Sequence, residues 1–375
     1  MILGLLPELG GSLGVLARSG QDSRFVDGYL RRYAGAFDEV RYFSYRPEVL
    51  ADFTRDADLA ARVRVVPGTS VHPWLYTGLM GVRHGRALRE CAVLRVFHLT
   101  GAIPAVVARR RFGVPFATTY GFHYDRLART AARAFMHRRL ERIVLAEADA
   151  VIVTTPELAA YVADRARSPR AVHLLPNAVD TARFRPAPRP APATPTVLYV
   201  GRLAAEKNLG GLIAAAAKLR GRLAVTLRLV GDGPLRGALA AEAARAGVPL
   251  DLVPVVDHGR LPSVYTAADV FVLPSFTEGH AKVLLEAMSC GVPCVASDVG
   301  GNRAAIADGR TGLLVDPADA GALADAIERL VTHRDLARRL GEAARRDVVE
   351  RYDLGAILTR EIELLRTLAA GRGRR

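Results

Sequence analysis

The feature that most constrains the fold is a regular alternation of short apolar runs with longer helical patterns. In the first half of the chain we predict buried strands at five largely apolar runs: Ile2–Leu6, Val63–Val66, Leu94–Phe97, Phe116–Thr119 and Val151–Thr154. Polar or helical stretches separate these runs, and strands that alternate with helices are typical of a parallel sheet covered on both faces. The alternation therefore predicts an α/β fold.

The same alternation restarts after a proline-rich segment. Residues 185–195 read Arg-Pro-Ala-Pro-Arg-Pro-Ala-Pro-Ala-Thr-Pro, which continue neither a helix nor a central strand, so we interpret them as a semi-rigid linker. Beyond the linker we predict one helix, Asn208–Leu219, and strands at Thr196–Val200, Val225–Val230, Leu250–Pro254, Val270–Leu273 and Pro293–Ala296. From Leu314 onward we predict mainly helix, and the last helix is expected at about Leu354–Leu368.

This organisation predicts two doubly wound Rossmann-like domains, residues 1–185 and 186–353. They are expected to face a central cleft, where the carboxyl ends of the strands bind a ligand.

Charge and cysteine usage restrict the class of protein. The net charge is +14, most of it within residues 1–185. A basic half attracts nucleic acid, anionic lipid or phosphorylated substrates, unless it is simply a solvated arginine-rich surface. Cys91, Cys290 and Cys294 are too scattered for a disulfide framework, which favours a reducing, cytoplasmic compartment. The N-terminus lacks the basic start of a signal peptide, and no apolar run is long enough to span a bilayer.

The stretch from Ser275 to Gly301 carries the strongest chemical signal. After the predicted strand that ends at Leu273, a polar turn holds Glu278 and Gly279, and a helix is expected from about Ala281 to Gly291. A helix that starts at the carboxyl end of a strand directs free N–H groups and a positive dipole end towards a phosphate. Glu286 lies among apolar helix residues and needs a polar partner, for which ribose hydroxyls are one candidate. The alternative is an exposed Glu286 and a Glu278 that only offsets the helix dipole.

This stretch resembles the E-x7-E motif of the retaining glycosyltransferases of family 4. Glu286-Ala-Met-Ser-Cys-Gly-Val-Pro-Cys-Val-Ala296 is similar to the sequence that follows that motif in the family. The resemblance implies a GT-B fold, with the C-terminal helix 354–370 packing back on the first domain. It also implies that Glu278 contacts the donor sugar and that Glu286 holds the ribose. Gly279 and Lys282, at the turn and the helix start, are assigned to the same donor site.

A second motif, Gly201-Arg-Leu-Ala-Ala-Glu-Lys-Asn208, lies between the first strand and the first helix of the second domain. Two cations five residues apart across such a turn can converge on one diphosphate. The motif is similar to the family's G-R-L-x-x-E-K-N, which implies that Arg202 and Lys207 are the diphosphate clamp. Weaker matches occur at Asn177–Asp180, Val230–Pro234 and Tyr265–Ser275, and the family resemblance makes Val256 a candidate contact for the nucleobase.

The first domain matches the family less well. Gly10 and Gly11 follow the first strand and are candidates to present N–H groups to the phosphates, or form a simple turn. His98, after the predicted strand Leu94–Phe97, is a candidate acceptor-side or catalytic residue. Many family members carry His-Gly where this chain has Tyr120-Gly121, and His123 is the nearby candidate to replace that histidine.

The resemblance implies a retaining transfer of a sugar from a nucleoside diphosphate-sugar, with UDP or GDP as candidate carriers, and no cofactor or metal. The acceptor is expected to be a carbohydrate, a lipid-linked molecule or a small molecule. Arg109–Arg111 and the helix predicted at Asp125–Leu145 form a basic region with interleaved apolar residues. Peripheral docking on an anionic membrane at its inner face is one hypothesis for this region, and an amphipathic helix packed on its own sheet is the other.

Two rival functions remain open at this point. One is a nucleotide-sugar epimerase or a phosphorylase on the same scaffold. The other is a non-enzymatic basic protein that binds nucleic acid, although no aromatic-interleaved nucleic-acid motif supports it, and we expect no nucleic-acid partner.

Overall fold

A computed structural model describes residues 1–122, 130–188 and 194–372 of the chain. The chain forms two compact units. Unit 1 contains Met1–Pro176 together with Ala356–Arg375, and unit 2 contains Asn177–Gly355. Each unit is an α/β structure built on one parallel sheet, so the predicted fold class of two doubly wound α/β domains is confirmed.

Unit 1 contains a seven-stranded parallel sheet in the order β3-β2-β1-β4-β5-β6-β7. Its strands are β1 Ile2–Leu6, β2 Glu39–Phe43, β3 Val63–Val66, β4 Val93–Val96, β5 Phe116–Tyr120, β6 Ala150–Val153 and β7 Val172–Leu174. Its helices are α1 Leu13–Arg18, α2 Arg31–Ala36, α3 Ala57–Arg62, α4 Pro73–Arg83, α5 Gly85–Glu90, α6 Ile103–Phe112, α7 Ala131–Glu147 and α8 Pro156–Ala163, and Arg24–Leu30 forms a π-helix. The predicted strands are present within a residue or two, whereas β2 and β7 were not predicted.

Unit 2 contains a six-stranded parallel sheet in the order β10-β9-β8-β11-β12-β13. Its strands are β8 Thr196–Val200, β9 Thr226–Val230, β10 Leu250–Val253, β11 Val270–Leu273, β12 Cys294–Ser297 and β13 Leu313–Val315. Its helices are α9 Leu209–Leu219, α10 Arg236–Ala246, α11 Leu261–Thr266, α12 Lys282–Ser289, α13 Gly300–Ala305, α14 Ala320–Thr332 and α15 Arg334–Arg351. Strand β13 lies where the sequence predicted the beginning of a mainly helical region.

The last helix, α16, spans Leu354–Arg372, and from Ala356 onward it belongs to unit 1. Its Glu361 is buried and accepts a hydrogen bond from Arg95 Nε on β4 at 2.6 Å and another from the Tyr33 hydroxyl at 2.5 Å. Burial of a carboxylate is tolerated when it is paired and fully hydrogen-bonded in this way. This buried ion pair attaches the end of the chain to the first sheet.

The start of unit 2 lies before the proline-rich segment rather than within it. Val179 and Phe184 are part of the apolar core of unit 2, and the Val179 N–H donates to the Tyr352 carbonyl at 3.0 Å. These core contacts assign residues 177–185 to unit 2, whereas the predicted boundary lay at residue 185. Part of the predicted linker, residues 189–193, lies outside the described residues.

Both sheets have the strand order of a doubly wound fold, which reverses direction at one point. The reversal lies between β1 and β4 in unit 1 and between β8 and β11 in unit 2. Loops that follow strands on either side of such a reversal diverge and leave a crevice for a ligand. In unit 2 these are the two loops that carry the sequence motifs.

Candidate donor site

The loop after β8 and the loop after β11 contact each other directly. The Phe276 N–H donates to the Glu206 carbonyl at 2.9 Å. The Asn208 side-chain amide donates to the carbonyls of Pro274 at 3.2 Å and Pro317 at 2.7 Å. Asn208 adopts left-handed backbone geometry, with φ of 51°, which Asn tolerates better than most residues. The two motifs read from the sequence therefore form one wall of the crevice in unit 2.

Glu278 is held between two donors on this wall. Its Oε1 lies 2.6 Å from Lys207 Nζ and accepts a hydrogen bond from Ser275 Oγ at 2.6 Å. The side chains of Lys207 and Glu278 are only 21 % and 10 % exposed, so water screens their attraction weakly. Glu278, predicted to contact the donor sugar, and Lys207, predicted to bind the diphosphate, thus form an ion pair.

Arg202, the other predicted diphosphate cation, is more accessible. Its side chain is 66 % exposed and forms an ion pair with Glu206, four residues further along the chain. The Tyr199 hydroxyl donates to the Arg202 carbonyl at 2.9 Å and so fixes the backbone of the turn. Lys282 is the first residue of α12 and is half-buried. The cations thus lie on both loops that border the crevice.

Glycines allow the backbone segments under the site to approach closely. A Cβ atom at Gly301 would lie 2.2 Å from the Gly279 carbonyl oxygen and 2.5 Å from that of Glu278. A Cβ at Gly231 would lie 2.0 Å from the Gly201 carbonyl oxygen. Both distances are far below van der Waals contact, so only glycine fits without moving the loops. Gly231 and Gly301, which belong to family-like motifs, therefore allow these backbone segments to pack closely.

Glu286, the predicted ribose contact, has polar partners from the protein itself. It is 2 % exposed, and its two carboxylate oxygens are bonded within unit 2. Oε1 lies 3.0 Å from His258 Nε2, and Oε2 accepts a hydrogen bond from the Tyr265 hydroxyl at 2.8 Å. The polar partner that a buried glutamate requires is thus provided by protein side chains. Val256, the candidate base contact, is half-buried and packs against the apolar core of the unit.

In unit 1, the glycine pair forms the turn after β1. Gly10 has φ of +78°, and the Gly11 N–H donates to the Glu8 carbonyl at 2.8 Å. The sequence analysis missed Glu48, whose carboxylate accepts from the N–H groups of Leu13 at 2.8 Å and Gly14 at 3.0 Å. These are the first N–H groups of α1, so an internal anion already occupies this helix start.

His98 follows β4, the neighbour of β1 in the sheet, and therefore lies at the carboxyl edge that also holds the glycine pair. Its Nδ1 is 2.7 Å from Thr100 Oγ1. Burial, with a smaller effect of the charge of His137, lowers the pKa of His98 to about 4, so the ring is neutral at neutral pH. His123 lies outside the described residues, as does the beginning of the predicted basic helix.

Tyr120 occupies the position where family members often have histidine. Its hydroxyl donates to Glu141 Oε2 at 3.0 Å, and the Tyr161 hydroxyl donates to Glu141 Oε1 at 2.9 Å. Burial and the nearby Glu141 carboxylate raise the pKa of Tyr120. The departure from the family pattern thus has a structural role, because Tyr120 satisfies a buried carboxylate.

Among the residues that the structure describes, no group of three or more His, Cys, Asp or Glu side chains is arranged to hold a metal ion. None of the helices in the same ranges has the length and apolar character needed to cross a bilayer. The three cysteines are buried free thiols.

Two family models match the chain, and together they cover most of it. The model for glycosyl transferases group 1 matches residues 180–347, and the model for glycosyltransferase family 4 matches residues 23–183. The boundary between the two matches falls close to the boundary between the two structural units.

Curated relatives agree with these matches. The chain is 31 % identical over 293 residues to the 2-deoxystreptamine glucosyltransferase of Streptomyces kanamyceticus, covering 68 % of this chain and 75 % of that protein. It is 36 % identical over 224 residues to the D-inositol 3-phosphate glycosyltransferase of Nocardia farcinica, covering 54 % of this chain and 49 % of that protein. The chain thus spans about half the length of several curated relatives that it matches.

Solved structures match almost the whole chain. A sucrose-phosphate synthase from Thermosynechococcus elongatus superposes with a TM-score of 0.80 at 26 % identity, covering 99 % of this chain and 100 % of that one. HepE from Anabaena, in complex with UDP-glucose, superposes with a TM-score of 0.79 at 17 % identity, covering 98 % of this chain and 100 % of that one. The second likeness concerns the fold alone, which is the GT-B fold predicted from the sequence.

Proposed function

Because the chain belongs to the group 1 family of glycosyl transferases, we propose that it transfers a sugar from a nucleoside diphosphate-sugar to an acceptor hydroxyl with retention at the anomeric carbon. The observation that carries this proposal is the Lys207–Glu278 ion pair on the two loops at the strand-order reversal of unit 2. That edge of a doubly wound sheet is where such folds bind nucleotides.

The residues present suit the departure of a diphosphate. As the bond between the anomeric carbon and the diphosphate oxygen breaks, negative charge develops on the leaving group. Arg202 and Lys207 stabilise that charge electrostatically, in the place where many enzymes use a metal ion. The acceptor oxygen bonds to the anomeric carbon on the same face, and its proton passes to a departing phosphate oxygen. Glu278 orients the sugar, and no further cofactor enters this scheme.

Glu286 has a different place in this proposal from the one that the motif implies. With His258 and Tyr265 on its carboxylate, it supports α12 and the loop before it. The ribose is then contacted by the main chain around Gly279 and by Lys282, at the start of α12. His98 is neutral at neutral pH and lines the acceptor side of unit 1.

A thermal-shift panel of UDP, GDP and ADP tests the donor part of the proposal. A ligand at about 100 times its Kd stabilises a protein by about 2.7 kcal/mol, which is a shift of several degrees for a chain of this size. UDP and GDP are the expected carriers, and the Lys207→Met variant should lose the shift while Lys218→Met, on α9, retains it. Failure of all three nucleotides would overturn the proposal.

Product analysis then separates the remaining functions. Retention predicts that the anomeric configuration of the transferred sugar, measured by NMR of the product, is the same as in the donor. Isomerised nucleotide-sugar without an acceptor would indicate an epimerase, and strict dependence on inorganic phosphate would indicate a phosphorylase. An affinity for DNA or RNA that falls steeply with salt, without nucleotide binding, would favour the nucleic-acid alternative.

We further propose that unit 1 docks on an anionic membrane to reach a lipid-linked acceptor. Helix α6 packs against both α4 and α7. Large apolar side chains are exposed on α4 and α7: Trp74, Leu75, Leu79, Val82, Phe135, Met136 and Ile143. Exposed arginines accompany them, among them Arg83, Arg139 and Arg142. An apolar face flanked by cations is typical of a surface that rests in the lipid headgroup region.

Co-sedimentation with vesicles tests this docking surface. Wild type should sediment with vesicles rich in phosphatidylserine at low salt and remain in solution with phosphatidylcholine alone. The double variant Leu75→Ser/Leu79→Ser should reduce binding, because it removes two exposed apolar side chains of α4 without touching its buried face. Equal sedimentation with both lipids, or none with either, would refute the docking.

A further inference from the structure

Asn177, in a family-like motif with no role in the scheme so far, contacts the loop that carries Glu278. Its side-chain Nδ2 donates to the main-chain carbonyl of His280 at 2.5 Å. His280 is two residues beyond Glu278 and directly after Gly279. A hydrogen bond from an amide to this carbonyl restrains the backbone next to the carboxylate that we place on the donor sugar.

The two halves of the loop 274–281 are attached by different residues. The first half is fixed by contacts already described, from Asn208 to the Pro274 carbonyl and from Phe276 to Glu206. The Ser297 hydroxyl adds a hydrogen bond to the Ser275 carbonyl. These contacts all precede Glu278. The Asn177 amide acts on the other side of it, so Glu278 lies between two points of attachment.

The ring of His280 restrains the same residue through packing. It is buried and packs on the Tyr352 ring, with 5.2 Å between the ring centroids. Neither ring nitrogen has a hydrogen-bond partner among the described residues. Burial, with smaller effects from the Arg351 and Lys282 charges, lowers the pKa of His280 to about 4. The neutral ring therefore packs as an apolar group and anchors this end of the loop.

Asn177 and Tyr352 come from two segments that pair with each other. The Val179 N–H donates to the Tyr352 carbonyl at 3.0 Å, and the Leu354 N–H donates to the Val179 carbonyl at 2.9 Å. The chain two residues after Asn177 is thereby paired with the segment 352–354 of unit 2. A side chain that is held in this way can transmit position to the loop that it touches.

We propose that Asn177 is a positioning residue that sets the place of Glu278 in the donor site through the His280 carbonyl. This role rests on the proposed function for its kinetic consequence, whereas the restraint on the loop exists in the free protein. The isosteric substitution Asn177→Asp tests it most sharply. Asp has the shape of Asn, but its carboxylate only accepts hydrogen bonds and repels the carbonyl.

Hydrogen–deuterium exchange of the free protein measures, without any substrate, how strongly Asn177 restrains the loop. Amide exchange in peptides that cover residues 277–283 should become at least about tenfold faster in Asn177→Asp and Asn177→Ala. In both variants this segment can open without breaking the hydrogen bond from Asn177 to the His280 carbonyl. Thr311→Val is the matched control. It removes a part-buried hydrogen bond from the Ala307 N–H to Thr311 Oγ1, shortly before β13. Unchanged exchange at residues 277–283 in both Asn177 variants would overturn the proposal, whether or not a donor is known.

Kinetics separate positioning from general destabilisation. In Asn177→Asp the transfer rate should fall by about tenfold or more, since small misplacements of a catalytic group have effects of this size. The Kd of the free nucleoside diphosphate should rise by much less than the rate falls, because Arg202 and Lys207, which bind the diphosphate, are untouched. Equal losses in nucleotide affinity and rate, or a wild-type rate with Asp at position 177, would contradict a role in positioning Glu278.

Discussion

Replacing Lys207 with methionine separates its role in charge stabilisation from its role in the fold. Methionine retains an apolar stem of similar length, so packing around the side chain changes little. In the free protein the substitution removes the 2.6 Å ion pair with Glu278. Glu278 is 10 % exposed and retains its hydrogen bond from Ser275, so the carboxylate is not left without a partner.

The expected effects on stability and on rate differ in size. Loss of one partner from a fully buried pair costs about 3–5 kcal/mol. Since Lys207 is 21 % exposed and Ser275 remains, we expect the free energy of unfolding to fall by only about 1–2 kcal/mol. Loss of one group that stabilises developing charge lowers the rate constant by about 10²–10³-fold. The rate should therefore fall far more than the stability does.

The assay combines urea unfolding with nucleoside diphosphate release under saturating acceptor. Lys218→Met serves as the control, because Lys218 is an exposed residue of α9 in the same unit. It should match wild type in both measurements. A Lys207→Met rate within about tenfold of wild type would refute the charge-stabilising role. A loss of stability that unfolds the variant at the assay temperature would refute the reasoning on exposure.

Three further predictions concern the fold around the sites. Glu361→Ala should lower the free energy of unfolding by about 3–5 kcal/mol in urea titrations because it leaves Arg95 buried and unpaired, whereas the double change of both residues to leucine should recover most of the loss. Below pH 6.5 the free energy of unfolding should fall towards pH 4, because the unfolded chain binds protons that buried His280 and His98, each with a pKa of about 4, exclude. The variant His280→Phe should weaken this dependence by removing one of the two contributions, measured by unfolding at several pH values. Gly301→Ala should reduce transfer at least about tenfold by displacing the loop that its Cβ would strike, while Gly237→Ala, in open space on α10, should leave the rate unchanged and raise the Tm.

Strands whose sequence is a continuous apolar run could be predicted most directly. Ile2–Leu6 and Val270–Leu273 are continuous apolar runs, and such runs are the signature of a central parallel strand. Strand β2 was missed because Glu39 and Arg41 interrupt its pattern. The structure buries Arg41 and pairs it with Glu39 and Glu90 at 2.6 Å each. No local pattern contains that compensation, since Glu90 is far away in the sequence.

The same distinction between local and distant contacts explains the donor site. Gly201–Asn208 and Ser275–Gly301 are contiguous, so their motifs could be read directly from the sequence. The partners of Glu286 lie 28 and 21 residues away, and neither His258 nor Tyr265 belongs to a pattern that points to a carboxylate. The sequence correctly required a polar partner for this glutamate, but it could not choose between a ligand and the protein.

For the glycine pair of unit 1, too, the sequence could not decide between a role in binding the phosphates and a role in the protein's own structure. An incoming phosphate at α1 would meet N–H groups that Glu48 already neutralises and would lie close to that like charge. A Cβ at Gly11 would come within 2.8 Å of Pro7 Cβ and 2.9 Å of the Glu8 carbonyl oxygen, so the turn itself requires glycine there. These contacts favour a steric reason for the pair. The charge of the diphosphate then falls to Arg202 and Lys207, which are the residues whose replacement should affect transfer most.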